Sequence, residues 1–297
     1  MICRLCPRKC GVDREKAAGF CNVGAKSFVA RAGLHMWEEP FLSGKQGSGT
    51  IFFCGCNLRC VFCQNSDIST KGEYENSVSV DAESLCDIML KLQSAGAHNI
   101  NFVTPTPHTE LIAEAIPLAR RRGLKIPTAF NTNSYITVES LKKLDGLIDI
   151  YMPDLKYVTG KLAKLISGAE DYPEYAKAAI EEMYRQCGGL SFDENGMAVH
   201  GVLIRHLVLP GNVDETRRVL DYISQNYPKD MYISLMSQYF PAHMAYKMPP
   251  LDRRLLPREY KRAADYARDI GFTNILTQKL TSADEGFVPK WGEIVGE

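Results

Sequence analysis

From residue 50 to residue 277 short apolar runs alternate with amphipathic stretches, and this alternation constrains the fold most. Residues 50–54 read as a first strand, and further strands are expected at 99–104, 125–131, 148–153, 201–208, 230–236 and 273–277. Helices are expected at 109–122, 137–144, 172–187, 213–226 and 257–269. Another opens at Val80-Asp81-Ala82-Glu83, with Asp81 as N-cap and Leu85, Met89 and Leu92 on one face. Strands joined through helices run the same way, so the pattern implies a parallel sheet. The six or seven units fall short of a closed eight-unit barrel, which takes ~250 residues. The expected fold is α/β, a partial (β/α)6 barrel over residues 49–297 behind a short cysteine-rich extension over residues 1–48. In such barrels functional side chains sit at the carboxyl ends of the strands.

The cysteines are crowded toward one end. Eight of the ten, at 3, 6, 10, 21, 54, 56, 60 and 63, fall within the first 63 residues. Cys56, Cys60 and Cys63 form a C-x3-C-x2-C run directly after the first expected strand. Three thiolates on one loop can converge on one iron–sulfur cluster. A four-iron cluster usually takes four cysteines, so three leave one iron open for chemistry. A zinc knuckle more often shows paired C-x2-C spacings. Cys3, Cys6, Cys10 and Cys21 form a second set and a candidate second metal site. Four thiolates saturate either zinc or an auxiliary iron–sulfur cluster, and the spacing leaves both open. A reactive thiol near substrate is a third reading, with Arg4, Arg8, Lys9 and Arg14 as neighbours able to lower a thiol pKa or offset a cluster's charge. Cys54, Cys86 and Cys187 read as buried core residues.

Lys+Arg and Asp+Glu both number 35, so the chain lacks the basic excess of a nucleic-acid binder. No apolar run reaches the ~20 residues that span a bilayer, and the first residues have no apolar signal core. Neither nucleic acid nor a membrane is an expected partner, and the expected location is cytoplasmic, where thiols serve as metal ligands more often than as disulfides. The glycine-rich run 44–50 lacks the Gly-Lys-Ser/Thr order of a phosphate loop and reads as a turn supporting the cysteine loop. The proline-bearing stretch 240–257 reads as a structured loop at the barrel mouth, either a lid or a connector. His108 and His206 near strand ends, and His35 before Glu38-Glu39-Pro40, are secondary candidates for facing substrate.

Flanking residues extend the cysteine motif into a resemblance. Trp37-Glu38-Glu39-Pro40, Gly47-Ser48-Gly49-Thr50-Ile51-Phe52-Phe53, Gln64-Asn65, Asn101 to Thr106, Asp149 to Lys156, Arg205 to Gly211 and Ser234 to Tyr239 are its carriers. Together they resemble the radical S-adenosylmethionine (SAM) superfamily, in the group similar to pyruvate formate-lyase activating enzyme, and within it a subgroup with N-terminal cysteines. The resemblance implies a [4Fe-4S] cluster on Cys56, Cys60 and Cys63 whose open iron binds the amino and carboxylate groups of SAM. It implies reductive SAM cleavage to a 5′-deoxyadenosyl radical that takes hydrogen from a substrate. The substrate is a protein, as in glycyl-radical enzyme activation, or a small molecule, and the electron donor is one such as flavodoxin or ferredoxin. It places SAM contacts at Thr104, Asn131, Asn133, Asp154, Lys156 and Arg205. This chain departs from the pattern in having Thr104-Pro105-Thr106 where activating enzymes often have Gly-Gly-Glu, and Asn131 where they have an acid. The competing reading, from another class, is a non-catalytic iron–sulfur electron carrier or a metal-dependent interaction protein.

Overall fold

A computed structural model of the chain describes residues 2–283, 286 and 289–296. The first elements are β1 (Ser27–His35), a short helix α1 (Pro40–Ser43), β2 (Ser48–Phe53) and α2 (Ser66–Ser69). Next come β3 (Val78–Val80), α3 (Ala82–Ser94), β4 (Ile100–Val103), α4 (Thr109–Arg121), β5 (Thr128–Thr132), α5 (Val138–Lys142) and β6 (Ile150–Pro153). The chain continues through α6 (Gly160–Ser167), α7 (Tyr172–Cys187), β7 (Ser191–Phe192), β8 (Ala198–Val202) and β9 (Ile204–Leu207). It ends with α8 (Val213–Asn226), β10 (Ile233–Met236), α9 (Pro257–Asp269) and β11 (Ile275–Thr277). The cap expected at Asp81 is present: its carboxylate accepts from Ser84 N–H at 2.9 Å, and Ser84 Oγ accepts from Asp81 N–H at 2.9 Å.

β2, β4, β5, β6 and β8 pair in parallel, and β9, β10 and β11 form a second parallel set. The single strand expected at 201–208 is broken at Leu203 into β8 and β9. A bridge between Asp154 and Arg205, and Leu155 N–H to Arg205 O at 2.9 Å, carry the wall across the break. The result is the partial barrel expected, with helices outside. β2 is buried along its whole length, as a parallel strand covered on both faces must be.

Two features lie outside the sequence expectation. β1, within residues 1–48, runs antiparallel along β2, so this part of the N-terminal region is a strand of the main sheet. Its other edge is covered by β3 and by the C-terminal residues, with Gly292 N–H to Ala30 O at 2.7 Å and Val295 N–H to Ala32 O at 2.8 Å. The second feature is a plug. His35 pairs with Ser48 at the start of β2, so the connection between them lies at the amino end of the barrel. From there α1 places Leu42 among Ala129, Ile150, Met152, Ala198 and Leu203, with Phe41 edge-on to Phe192 and Tyr232. The 44–50 turn belongs to this plug and not to the cysteine loop, because it enters β2 at the end away from the cysteines.

Leu42 is 1% exposed, so Leu42→Ala opens a cavity under the barrel. The expected loss is about 2–5 kcal/mol, read from denaturant unfolding of the metal-free protein.

Candidate active site

β2 ends at Phe53, and the chain then turns sharply into the cysteine loop. Gly55 makes the turn possible. Its φ is +83°, and a Cβ there would lie 2.6 Å from Cys21 O. Backbone partners fix the rest: Cys54 N–H to Phe28 O at 2.9 Å, Gly55 N–H to Ile68 O at 2.9 Å, Arg59 N–H to Ser167 O at 3.2 Å and Val61 N–H to Ile166 O at 2.9 Å. Met244 N–H donates to Val61 O at 2.8 Å, which docks the 240–257 stretch on the loop. Cys54 is fully buried among Ala30, Phe52, Ile68 and Val103, as expected of a core residue, and so are Cys86 and Cys187 in their own surroundings.

Cys56, Cys60 and Cys63 all border one cavity of about 420 Å³ at the carboxyl ends of the strands. Each sulfur has a polar neighbour. Leu58 N–H and Asn133 Nδ2 reach Cys56 Sγ at 3.5 and 3.4 Å, Ser167 Oγ lies 3.0 Å from Cys60 Sγ, and Ser69 Oγ lies 3.2 Å from Cys63 Sγ. Burial raises all three thiols, Cys56 to about 12, while Lys156 works the other way. Without a metal such thiols are protonated, so a metal group exchanges for their protons. Three thiols facing one cavity, with donors aimed at sulfur, fit an iron–sulfur cluster with one open position.

The strand-end residues border the same cavity: Thr104, Asn131, Asn133, Asp154, Lys156 and Arg205. Thr104 has a φ of 59°, a left-handed conformation uncommon for a β-branched residue and of the strained kind that collects at functional sites. Lys156 Nζ donates to Asp154 Oδ2 at 2.6 Å. Burial alone pulls the Lys156 ammonium down, but the Asp154 carboxylate more than offsets this and its pKa is raised. Tyr172 clamps the pair, donating to Asp154 O at 2.7 Å and accepting from Lys156 N–H at 3.0 Å. Asn133 is tied to the cysteine loop, since its amide also donates to Asn57 Oδ1 at 3.0 Å.

Arg205 has partners that sequence reasoning missed. It lies 3.4 Å from Glu38 Oε2 and 3.3 Å from Glu39 Oε1, and both carboxyl side chains are buried. Asn101 Nδ2 donates to Glu38 Oε1 at 2.9 Å. Burial raises the Glu38 pKa, with Arg205 opposing. Glu38 borders the cavity on the plug side, opposite the thiols, beside His35, whose pKa falls to about 4 through burial and the nearby Arg31 and Arg205 charges. The signal available in the sequence was the pair of acids in Glu38-Glu39-Pro40, just ahead of the apolar Phe41-Leu42.

Two of the histidine expectations fail. His108 is buried and stacked on Phe53, centroids 4.5 Å apart. Burial holds it neutral, its pKa lowered to about 3. Its Nε2–H donates to Cys54 O at 2.9 Å and Nδ1 accepts from Ser27 Oγ at 2.8 Å, so it braces the cysteine loop. His206 is likewise buried, with Nδ1–H donating to Leu155 O at 2.7 Å and Nε2 accepting from Thr216 Oγ1 at 2.9 Å. With both ring nitrogens bonded internally, neither faces substrate. His35 borders the cavity at its floor rather than its mouth.

Cys3, Cys6, Cys10 and Cys21 surround a second, small cavity with Arg8, Arg14 and Asn57. Arg14 reaches Cys21 Sγ at 3.8 Å, and Arg8 Nε donates to Asn57 O at 2.9 Å. Burial raises the Cys6 thiol to about 11, with the Arg8 backbone and then the Asn57 side chain opposing. Among the described residues no three Cys, His, Asp or Glu side chains close around a single ion.

Comparison with known proteins agrees with this geometry. Residues 50–223 match the radical SAM superfamily, spanning the cysteine loop and the strand ends up to α8. The chain belongs to the radical SAM superfamily. It is 33% identical over 272 residues to an uncharacterized protein of Methanocaldococcus jannaschii, covering 89% of this chain and 74% of that one. A second uncharacterized protein of the same organism is 22% identical over 84% of this chain and 73% of its own length. Among solved structures, SuiB of Streptococcus suis bound to S-adenosylmethionine superposes with a TM-score of 0.51 at 16% identity, over 77% of this chain and 49% of SuiB. A radical SAM methyltransferase of Sphaerobacter thermophilus gives 0.52 at 14% identity, over 77% of this chain and 66% of that one. These two share the fold. Membership of the superfamily implies a [4Fe-4S] cluster and SAM as cofactors. Among the described residues no helix is long and apolar enough to cross a membrane.

The Asp154–Lys156 pair is mostly buried, at 20% and 16% side-chain exposure. Asp154→Asn leaves the ammonium without its counter-charge and is expected to cost about 2–4 kcal/mol in chemical denaturation, most of it recovered in the Asp154→Asn/Lys156→Met double variant.

Proposed function

We propose that Cys56, Cys60 and Cys63 hold the [4Fe-4S] cluster and that the adjoining cavity binds SAM. The observation that carries this reading is that the three thiols and the strand-end polar groups border one cavity. When bound, cluster and SAM would supply one-electron reductive cleavage of SAM and, through the 5′-deoxyadenosyl radical, hydrogen abstraction from substrate. The protein's own part is placement. Lys156, fixed by Asp154 and Tyr172, offers a cation to a carboxylate or ribose, and Asp154 offsets positive charge. Thr104 and Asn131 present polar groups at the ends of β4 and β5. Arg205 is held between two acids, so its guanidinium orients a ligand without adding net positive charge. Asn133 orients Cys56 through the sulfur contact.

The reaction is that of an oxidoreductase of the activating-enzyme kind, with a protein backbone glycine as the first substrate to test and a small molecule as the second. Reducing equivalents come from a donor such as flavodoxin or ferredoxin, in the cytoplasm. Residues 1–48 bring the four N-terminal cysteines to the barrel of 49–297, and these four hold a second metal centre, zinc or an auxiliary iron–sulfur cluster.

Two measurements test the proposal. The anaerobically reconstituted and reduced protein is expected to form 5′-deoxyadenosine from SAM, and Cys60→Ala to fall to background; no product from a fully loaded protein, or turnover by Cys60→Ala, sinks the cluster assignment. A Cys3→Ser/Cys6→Ser double variant is expected to lose the iron or zinc of one centre by elemental analysis while keeping the SAM-responsive cluster signal. Unchanged metal content removes the second centre.

A further inference from the structure

The cysteine loop runs along one side of the cavity. Cys56, Leu58, Cys60 and Phe62 border the cavity, while the intervening Arg59 and Val61 do not. Arg59 and Val61 are half-buried and do not line the cavity, so the loop has an outer face at these two positions.

That outer face gathers exposed apolar side chains. The large hydrophobics left exposed among the described residues include Phe20, Leu165, Met244 and Tyr246, at 37%, 62%, 43% and 61%. Backbone hydrogen bonds bring these segments together around the loop: Arg59 N–H to Ser167 O, Val61 N–H to Ile166 O and Met244 N–H to Val61 O. Phe20 joins through Arg59, whose guanidinium lies 4.5 Å from its ring centroid, with Arg8 at 4.1 Å. Exposed apolar side chains collected in one place, rimmed by polar groups, mark an interaction surface.

The rim is basic. Residues 2–26 carry six basic side chains (Arg4, Arg8, Lys9, Arg14, Lys16, Lys26) against two acidic ones (Asp13, Glu15), a balance of +4 in a chain whose total is zero. Arg59 and the exposed Lys161 and Lys247 extend it; Lys161 stands one helical turn from Leu165, and Lys247 follows Tyr246. A surface of this charge and apolar centre fits an acidic protein.

We propose that this face, centred on Val61 and bordered by Phe20, Arg59, Leu165, Met244 and Tyr246, docks an acidic protein electron donor. The inference rests on the cluster reading of Cys56, Cys60 and Cys63. The partner loses one electron and the cluster gains it across the cysteine loop, while substrate keeps the cavity on the other side. The four-cysteine segment then has a second task, supplying the positive side of the docking surface.

The test uses the reconstituted holoprotein with reduced flavodoxin as the partner and dithionite as the small reductant. Leu165→Glu and Tyr246→Glu are expected to slow flavodoxin-driven 5′-deoxyadenosine formation about tenfold and to leave the dithionite-driven rate unchanged. Lys161→Glu and Lys247→Glu, which disturb no packing, are expected to act in the same direction. Raising ionic strength from ~50 to ~300 mM is expected to slow the flavodoxin reaction alone. Variants that keep the wild-type flavodoxin-driven rate, or a rate indifferent to salt, overturn the proposal. If wild type makes no 5′-deoxyadenosine even with dithionite, the SAM-cleavage reading has failed separately; flavodoxin reduction of the cluster, followed by its electron paramagnetic resonance signal, then still tests the surface in the same variants.

Discussion

The cysteine loop satisfies its backbone by drawing on segments spread along the chain. Buried amide groups without partners are costly, and here β1 supplies Phe28 O, α2 supplies Ile68 O, the end of α6 supplies Ser167 and Ile166 O, and the 240–257 stretch supplies Met244 N–H. His108 caps Cys54 O, and Arg8 takes Asn57 O. Segments far apart in sequence are thus fixed to one another by a loop of ten residues. The glycine at 55 is part of that constraint, because a larger residue would strike the backbone at Cys21.

The barrel interior is divided by height. Near the amino ends of the strands it is apolar, filled by Leu42 and its neighbours. Above that layer the charged groups pair off: Asp154 with Lys156, and Glu38 and Glu39 with Arg205. Both oxygens of Glu39, the Asn101 Oδ1 atom and Arg205 Nε are buried without a hydrogen bond. Ion pairing without hydrogen-bond geometry leaves the floor richer in acceptors than in donors, in a chain that has Thr106 and Asn131 where the activating-enzyme pattern has acids.

Much of the fold was legible because its signals are local. The strand–helix order, the Asp81 cap and the loop position of Cys56, Cys60 and Cys63 each depend on neighbouring residues. Legibility stopped where the reason is tertiary. β1 carries Arg31 and Gly33 in its middle, which blurs a strand pattern, and it is a strand because β2 offers an edge. α6 begins at Gly160 and has only eight residues, too few for a clear period. The break at Leu203 follows from the wall changing partners between β6 and β10, which no local pattern announces. Of the strand-end candidates, all six border the cavity, but chemistry by residue type misjudged two histidines. A histidine at a strand end looks the same in sequence whether its nitrogens meet a ligand or, as at His108 and His206, a carbonyl and a hydroxyl.

Asn57 sits between the two cysteine sets. It borders the small cavity of the four N-terminal cysteines on one side and, through Oδ1, accepts from the amide of Asn133 on the other, which in turn reaches Cys56 Sγ. Its Nδ2 is anchored on Tyr135 O and its own carbonyl on Arg8. An amide held at every corner has no spare rotation to absorb a shift at either end. One side chain thus both lines the four-cysteine cavity and seats the amide that points at Cys56 Sγ, so the two cysteine sets share a wall at Asn57.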